Sequence, residues 1–127
     1  MLTSPAPSED RPLVVLVEDD DPVRRALQLL LSGRGYRVRA FASAASALTD
    51  PIALEAELLI ADFMLPESDG LALLRGFHAR GWQGHAILVT AFPSNELRRT
   101  AETAGFAAVM EKPLRQEALL AVLAGTT

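Results

Sequence analysis

The residues of this sequence that are best suited to chemistry each stand at the end of an apolar run. They comprise three carboxylates, one hydroxyl and one ammonium group. Together these groups could hold a metal ion and a phosphoryl group, because oxygen ligands bind hard cations and fixed donors stabilise phosphoryl charge. The five residues are Glu18, Asp19, Asp62, Thr90 and Lys112.

Three carboxylates at one site would repel one another and raise one another's pKa unless a cation neutralised them. The sequence has no cysteine, and no histidine belongs to this set. An oxygen-only ligand set favours Mg²⁺, with Mn²⁺ as an alternative. Beside such a cation the Asp62 carboxylate could attack phosphorus and form an acyl phosphate. Thr90 would supply a hydroxyl donor, and Lys112 a compact positive charge.

The composition is that of a single globular domain. The 127 residues are 50% hydrophobic and 22% charged, which excludes a disordered chain. The net charge of −4 argues against direct nucleic-acid binding by this domain. No apolar run approaches the roughly 20 residues of a membrane span, so we expect a cytoplasmic protein that contacts no membrane. Five arginines are interpreted as a solvated face: Arg24, Arg25, Arg34, Arg37 and Arg39.

Strand-like and helix-like segments alternate along the chain after a polar, proline-bearing start at residues 1–11, which we predict to be a disordered tail. Buried apolar runs predict strands, and capping residues such as Asp21, Ser43, Asp69 and Ser94 predict helix starts. The last helix is predicted over residues 115–124. The predicted strands span residues 13–17, 36–42, 57–61, 86–89 and 107–110.

Five successive β–α units predict an α/β fold, a doubly wound five-stranded parallel sheet with helices on both faces. The strand at residues 36–42 alternates arginine with apolar residues, so we place it at an edge. Right-handed crossovers then favour the flavodoxin-like (βα)5 arrangement with strand order 2-1-3-4-5. The carboxyl ends of neighbouring parallel strands meet at one edge, so the five candidate residues should converge there.

Four motifs occur in order along the chain and resemble the receiver domain of bacterial two-component response regulators, the CheY-like phosphoacceptor family. The resemblance covers residues 13–123, and we take residues 12–125 as the receiver domain. Any one motif is weak, whereas four at these intervals are specific. The motifs are Val17-Glu18-Asp19-Asp20-Asp21-Pro22, Asp62-Phe63-Met64-Leu65-Pro66 with Gly70, Val89-Thr90-Ala91, and Glu111-Lys112-Pro113.

The resemblance implies roles for the acidic residues. Asp62 would accept a phosphoryl group from the phosphohistidine of a partner kinase. Asp19 would bind Mg²⁺ directly, together with Asp62, and Glu18 would bind it through water. The main-chain carbonyl of Met64 would complete the protein ligands of the metal.

The resemblance also implies a switch. Thr90, Ala91 and Lys112 would bind the phosphoryl group, and a cis peptide bond before Pro113 would direct Lys112 into the site. In most relatives an aromatic residue three positions before the lysine follows the threonine when it moves. Here that position is Val109, an atypical switch residue.

The same resemblance implies a signalling domain and not an enzyme, although it would assist its own phosphorylation and dephosphorylation. Its partners would be a sensor histidine kinase or phosphotransfer protein, and a downstream protein or output domain. The output surface would comprise the fourth helix, fifth strand and fifth helix, through which a homodimer could also form.

Two alternatives come from other functional classes. The first is a haloacid-dehalogenase-like phosphatase with Asp19 as its nucleophile, because residues 19–23 fit the short D-x-D-x-[TV] signature. That alternative needs a later acidic pair, yet no aspartate follows Asp69, and it gives Asp62 no role. The second is a pseudo-receiver that binds partners without being phosphorylated, which the complete set of acidic, threonine and lysine residues disfavours.

Overall fold

A five-stranded parallel sheet forms the centre of the computed structural model, which describes residues 11–126. The strand order is β2-β1-β3-β4-β5, as predicted. The strands are β1 Leu13–Val17, β2 Arg37–Phe41, β3 Leu58–Asp62, β4 His85–Thr90 and β5 Ala108–Glu111. The helices are α1 Asp21–Gly33, α2 Ala44–Thr49, α3 Gly70–Ala79, α4 Asn95–Ala104 and α5 Gln116–Thr126.

Two hydrophobic cores lie on opposite faces of the sheet. Alternate residues of β1 enter different cores: Val15 packs with α2, α3 and α4, and Val14 packs with α1 and α5. This explains why β1 and β3 are continuous apolar runs, since strands covered on both faces need apolar residues at every position. The predicted edge strand is β2, all of whose residues are only half-buried.

The predicted caps hold with one correction. Ser43, Asp69 and Ser94 each accept a hydrogen bond from the main-chain N–H three residues on. Asp21 was predicted to cap α1, but the cap is Asp20, whose Oδ1 accepts from the Val23 N–H at 3.0 Å. Asp21 instead lies in the first turn, where an acidic residue also complements the helix dipole.

Two short elements were not predicted. A single 3-10 turn, Ala53–Glu55, precedes β3. A two-stranded antiparallel ribbon, Met64–Leu65 with Ser68–Asp69, follows β3 and turns at Glu67, whose φ is 57°. The ribbon returns the chain directly to the start of α3.

No helix within residues 11–126 is long and apolar enough to cross a membrane. The predicted tail at residues 1–11 falls outside the described residues except for Arg11.

The predicted bounds of the third and fourth strands end one residue too early. Asp62 and Thr90 form the last residues of β3 and β4.

Candidate metal and phosphoryl site at the carboxyl edge of the sheet

The predicted site residues converge at the carboxyl edge of the sheet. Glu18 directly follows β1, Asp62 ends β3, Thr90 ends β4, and Lys112 directly follows β5. Because parallel strands end at the same edge, residues far apart in the chain become neighbours there. Glu18, Asp19 and Asp62 each offer one carboxylate oxygen, and these oxygens lie within 4.8 Å of one another.

Lys112 joins two of the three carboxylates. Its Nζ donates to Glu18 Oε1 at 2.8 Å and to Asp62 Oδ2 at 2.9 Å. Glu18 is 2% exposed and Asp62 is 5% exposed, so both carboxylates are held away from water. The peptide bond between Lys112 and Pro113 is cis, and the Lys112 N–H donates to the Thr90 carbonyl at 2.8 Å.

Burial and crowding change the proton affinities of these groups. Burial, with the neighbouring Glu18, raises the pKa of Asp62 to about 8, although Lys112 opposes the shift. Burial also acts to raise the pKa of Glu18, but hydrogen bonds with Asp62 and Lys112 outweigh it and hold that pKa below its ordinary value. Burial acts to lower the pKa of Lys112, and its bonds to the two carboxylates raise it overall. In the absence of a cation, the carboxylate pair therefore retains a proton on Asp62 near neutral pH.

The donor set fits a hard divalent cation. All three clustered side chains offer carboxylate oxygens, which Mg²⁺ and Mn²⁺ prefer over nitrogen or sulfur. Asp19 is exposed and forms no hydrogen bond or ion pair with the other residues of 11–126. The Asp19 carboxylate is therefore free to bind a cation. The single positive charge of Lys112 does not balance the carboxylates, so the net charge of the cluster is negative.

A cleft of about 180 Å³ opens above Asp62. Thr90 forms part of its wall, and the Thr90 Oγ1 accepts a hydrogen bond from the Phe92 N–H at 3.1 Å. The rim carries two apolar side chains, Met64 at 71% and Phe92 at 80% exposure. The lining residues are Asp19, Asp62, Met64, Val89, Thr90, Ala91, Phe92 and Lys112.

The atypical Val109 lies apart from this cleft. It is half-buried on β5, pairs with Leu88 and packs against the core formed with α2, α3 and α4. Its carbonyl accepts a hydrogen bond from Arg98 Nη1 at 3.2 Å. A valine side chain thus occupies the position at which the resemblance implied an aromatic switch residue.

Arg24 was missed as a site residue by the sequence reasoning, which interpreted it as part of a solvated face. Its guanidinium donates to the Glu18 carbonyl at 2.9 Å and also contacts the Asp21 carboxylate. Arg39 does lie on the solvated face, with a side chain that is 40% exposed, and it forms an ion pair there with the nearly buried carboxylate of Asp50. The three-residue spacing between Asp21 and Arg24 was the available indication, since such pairs meet on a helix.

The sequence matches the response regulator receiver domain family over residues 14–124. The chain therefore belongs to this family of two-component signalling domains, which are regulators and not classical enzymes. This membership does not favour the phosphatase alternative or the pseudo-receiver alternative.

The chain is similar to the transcriptional regulatory protein FixJ of Azorhizobium caulinodans, with 33% identity over 110 residues that cover 87% of this chain and 52% of FixJ. It is 31% identical over 116 residues to the response regulator protein TmoT of Ectopseudomonas mendocina, covering 91% and 53%. The chain thus spans about half the length of these relatives. The chemotaxis protein CheY4 of Vibrio cholerae shares the fold, with a TM-score of 0.86, 21% identity and coverage of 92% and 99%.

Proposed function

We propose that Asp62 accepts a phosphoryl group from the phosphohistidine of a sensor kinase or a phosphotransfer protein. The observation that carries this proposal is the position of Asp62, whose carboxylate lies beside Glu18, Asp19 and Lys112 at the floor of an open cleft. Mg²⁺ is the proposed cation and Mn²⁺ its alternative. Glu18, Asp19, Asp62 and the Met64 carbonyl are its proposed protein ligands.

The transfer is a displacement at phosphorus. An ionised Asp62 oxygen forms the new O–P bond while the P–N bond of the phosphohistidine breaks, and the imidazole departs with the electron pair and takes up a proton. Bound Mg²⁺ would supply charge neutralisation to the carboxylates and the phosphoryl oxygens. Because the pKa of Asp62 is raised even with Lys112 beside it, the charge of the proposed Mg²⁺ is needed to keep this nucleophile ionised.

Lys112 and Thr90 would form new contacts with the phosphoryl group on Asp62. A phosphoryl group adds about −1.5 to −2 charges, so the Lys112 ammonium gains a new acceptor beside those it already contacts. The Thr90 hydroxyl and the Ala91 N–H would turn toward the phosphoryl oxygens. A movement of Thr90 would disturb its bond from Phe92 and with it the loop that leads to α4.

The resulting signal would be presented on the surface formed by α4, β5 and α5. We propose that this surface contacts a downstream protein or an output domain, and that it is the face through which a homodimer would form. The proposed location is the cytoplasm, and the domain itself is proposed not to bind nucleic acid.

Phosphorylation by a small donor tests the proposal. With Mg²⁺ and acetyl phosphate, or phosphoramidate as a P–N donor, intact mass should show one added phosphoryl group on the wild-type chain. Asp62→Asn should gain none. Asp69→Asn is the matched control, because asparagine preserves the α3 cap while removing the same charge, and it should be labelled normally.

Two outcomes would overturn the proposal. Label retained by Asp62→Asn would exclude residue 62 as the acceptor. Label absent from the wild type at saturating Mg²⁺ and donor would instead support the pseudo-receiver alternative. A phosphatase with Asp19 as nucleophile predicts the opposite pattern, with label lost in Asp19→Asn and kept in Asp62→Asn.

A further inference from the structure

Arg24 lies one turn into α1, but its side chain turns back toward the end of β1. Its Nη1 donates to the main-chain carbonyl of Glu18 at 2.9 Å, and its Nη2 contacts the Asp21 carboxylate. Its own N–H donates to the Asp20 carbonyl at 2.8 Å. The side chain is 21% exposed, so the guanidinium is packed against the turn and does not extend into solvent.

The turn that Arg24 closes consists of four acidic residues, 18–21. Glu18 is held by its main-chain N–H, which donates to the Phe41 carbonyl at 3.0 Å, and by its Oε2, which accepts from the Asp20 N–H at 3.1 Å. Asp19 has no side-chain partner among residues 11–126. The direction of its carboxylate therefore depends on the main chain of the turn alone.

We propose that Arg24 is a positioning residue for the cation site. By binding the Glu18 carbonyl and the Asp21 carboxylate together, it holds the turn in the shape that keeps the Asp19 carboxylate within reach of Asp62. The inference rests on the proposed function, because it requires a divalent cation at Glu18, Asp19 and Asp62. Arg24 contacts no clustered carboxylate that would bind the metal, and it acts through the main chain.

The charge and the geometry of Arg24 predict opposite effects on metal affinity. A positive charge near the site repels Mg²⁺, so its removal alone would tighten Mg²⁺ binding. The loss of a group that orients metal ligands typically weakens metal affinity by about 10–100-fold. The sign of the change therefore separates a positioning role from a bulk charge effect.

Arg24→Met keeps an unbranched apolar stem and removes both contacts. Arg25→Met is the matched control, because it removes the same charge one position on. Arg25 is exposed, and its side chain has no hydrogen bond or ion pair within the described part of the chain. Arg24→Lys keeps the charge but lacks the planar fork that can bind a carbonyl and a carboxylate at once.

The test is a titration of the full chain with MgCl2, in which binding is measured by calorimetry and by amide NMR shifts. Mg²⁺ affinity should fall roughly 10-fold in Arg24→Met and by a smaller factor in Arg24→Lys. Affinity should be unchanged or slightly higher in Arg25→Met. Amide resonances of residues that do not neighbour positions 18–25 should match the wild type, which would show that the variants are folded. Higher salt screens simple charge effects, so the Arg24→Met loss should persist at 0.5 M salt, roughly three times the physiological ionic strength.

Equal or tighter Mg²⁺ binding by Arg24→Met would overturn the positioning role, and so would an equal loss in Arg25→Met. If Arg24→Met does not fold, Arg24→Lys carries the test, and wild-type affinity in that variant would overturn the inference. Absence of Mg²⁺ binding by the wild type would instead overturn the proposed function, so the two failures are distinguishable.

Discussion

At the scale of single residues, Lys112 holds the two buried carboxylates of the site together. Its ammonium contacts both Glu18 and Asp62, which are buried carboxylates that would otherwise repel each other. A buried charge is costly unless it is paired and hydrogen-bonded, and here each carboxylate has such a partner. The site is therefore preorganised, but Lys112 does not neutralise the cluster even when Asp62 carries a proton, and the remaining negative charge favours a cation.

Val109 should contribute to packing but not to phosphorylation. Val109→Ala removes two methyl groups from a half-buried position on β5, so the free energy of unfolding should fall by about 1 kcal/mol. The proposed phosphoryl acceptor, Asp62, and the proposed metal ligands lie at the strand ends, and this substitution does not change them. Urea unfolding measures the first effect, and intact mass after acetyl phosphate treatment measures the second. Loss of phosphate uptake would contradict this assignment.

The proposed aspartyl phosphate should be long-lived because the rim of the cleft above Asp62 is apolar. Met64 and Phe92 are exposed at the cleft mouth, and neither side chain has a group that can orient an attacking water. Decay of the labelled wild type, followed by mass spectrometry without a phosphatase, should be slower than decay of Phe92→Gln, whose amide can hold a water. Loss of the wild-type label within seconds would contradict the hypothesis.

At the scale of elements, four of the five strands place a site residue at their carboxyl end or directly after it, and the turn that follows each strand determines how closely the next helix approaches. Gly70 shows this most clearly. It begins α3, and its N–H donates to the Phe63 carbonyl at 2.8 Å. A Cβ atom at this position would lie 2.6 Å from the Asp62 carbonyl oxygen and 2.5 Å from Leu88 Cδ1. The close approach of α3 to β3 therefore requires glycine.

Gly70→Ala should destabilise the fold and displace Asp62. We expect a loss of roughly 1–3 kcal/mol, as for other overpacked positions, and lower phosphorylation because the main chain of residue 62 must move. Gly33→Ala is the matched control, since a Cβ there meets nothing within 4 Å, and it should be neutral or stabilising by up to about 1 kcal/mol. Urea unfolding followed by Trp82 fluorescence measures both. Trp82 is buried, and its indole N–H bonds the Ala56 carbonyl before β3, far from the site along the strand. Equal stability of the two variants would contradict the steric argument.

At the scale of the whole molecule, the functional edge and the two cores are separate. The central strands β1, β3 and β4 are buried almost throughout, and helices cover both faces of the sheet. The charged cluster lies at the carboxyl ends of these strands and not between the cores. The molecule can therefore carry unfavourable charge at one edge without losing its fold, and its stability should depend on the protonation of that edge.

The pH dependence of metal-free stability should follow Asp62. Its folded pKa of about 8 lies above the unfolded value of about 3.9, so the folded state binds the extra proton. The contribution of this proton to the free energy of unfolding is fully present below about pH 4 and is lost as the pH rises through about 8. Asp62→Asn cannot ionise, so at pH 8 it should be more stable than the metal-free wild type by roughly 1–3 kcal/mol.

Thermal unfolding of both proteins between pH 5 and 9 measures this difference, with Asp69→Asn as the control for loss of a carboxylate. Saturating Mg²⁺ should stabilise the wild type, because it binds the ionised form, and should narrow the gap to Asp62→Asn. A gap that does not widen with rising pH would contradict the assignment of the proton to Asp62.

The sequence alone determined the order of the strands and helices and the residues at the strand ends. These features follow from short-range patterns: apolar runs in β1 and β3, and capping residues such as Ser43 and Ser94, act within a few residues of the chain. The edge position of β2 was predictable for the same reason, because Arg37 and Arg39 indicate a strand with a solvated face. Convergence at one edge then follows from parallel strand geometry.

Only the tertiary structure decided which groups touch. Lys112 contacts Glu18 and Asp62 across 94 and 50 residues of chain, and no local pattern specifies a contact of that range. The raised pKa of Asp62 depends on its burial and on the neighbouring Glu18 carboxylate, and both arise only in the folded chain. Arg24 was equally hidden, because a helix surface position is solvated or turned inward according to the backbone carbonyls it meets after folding. Local periodicity therefore determines the framework, whereas side-chain reach and desolvation in the folded chain determine the chemistry.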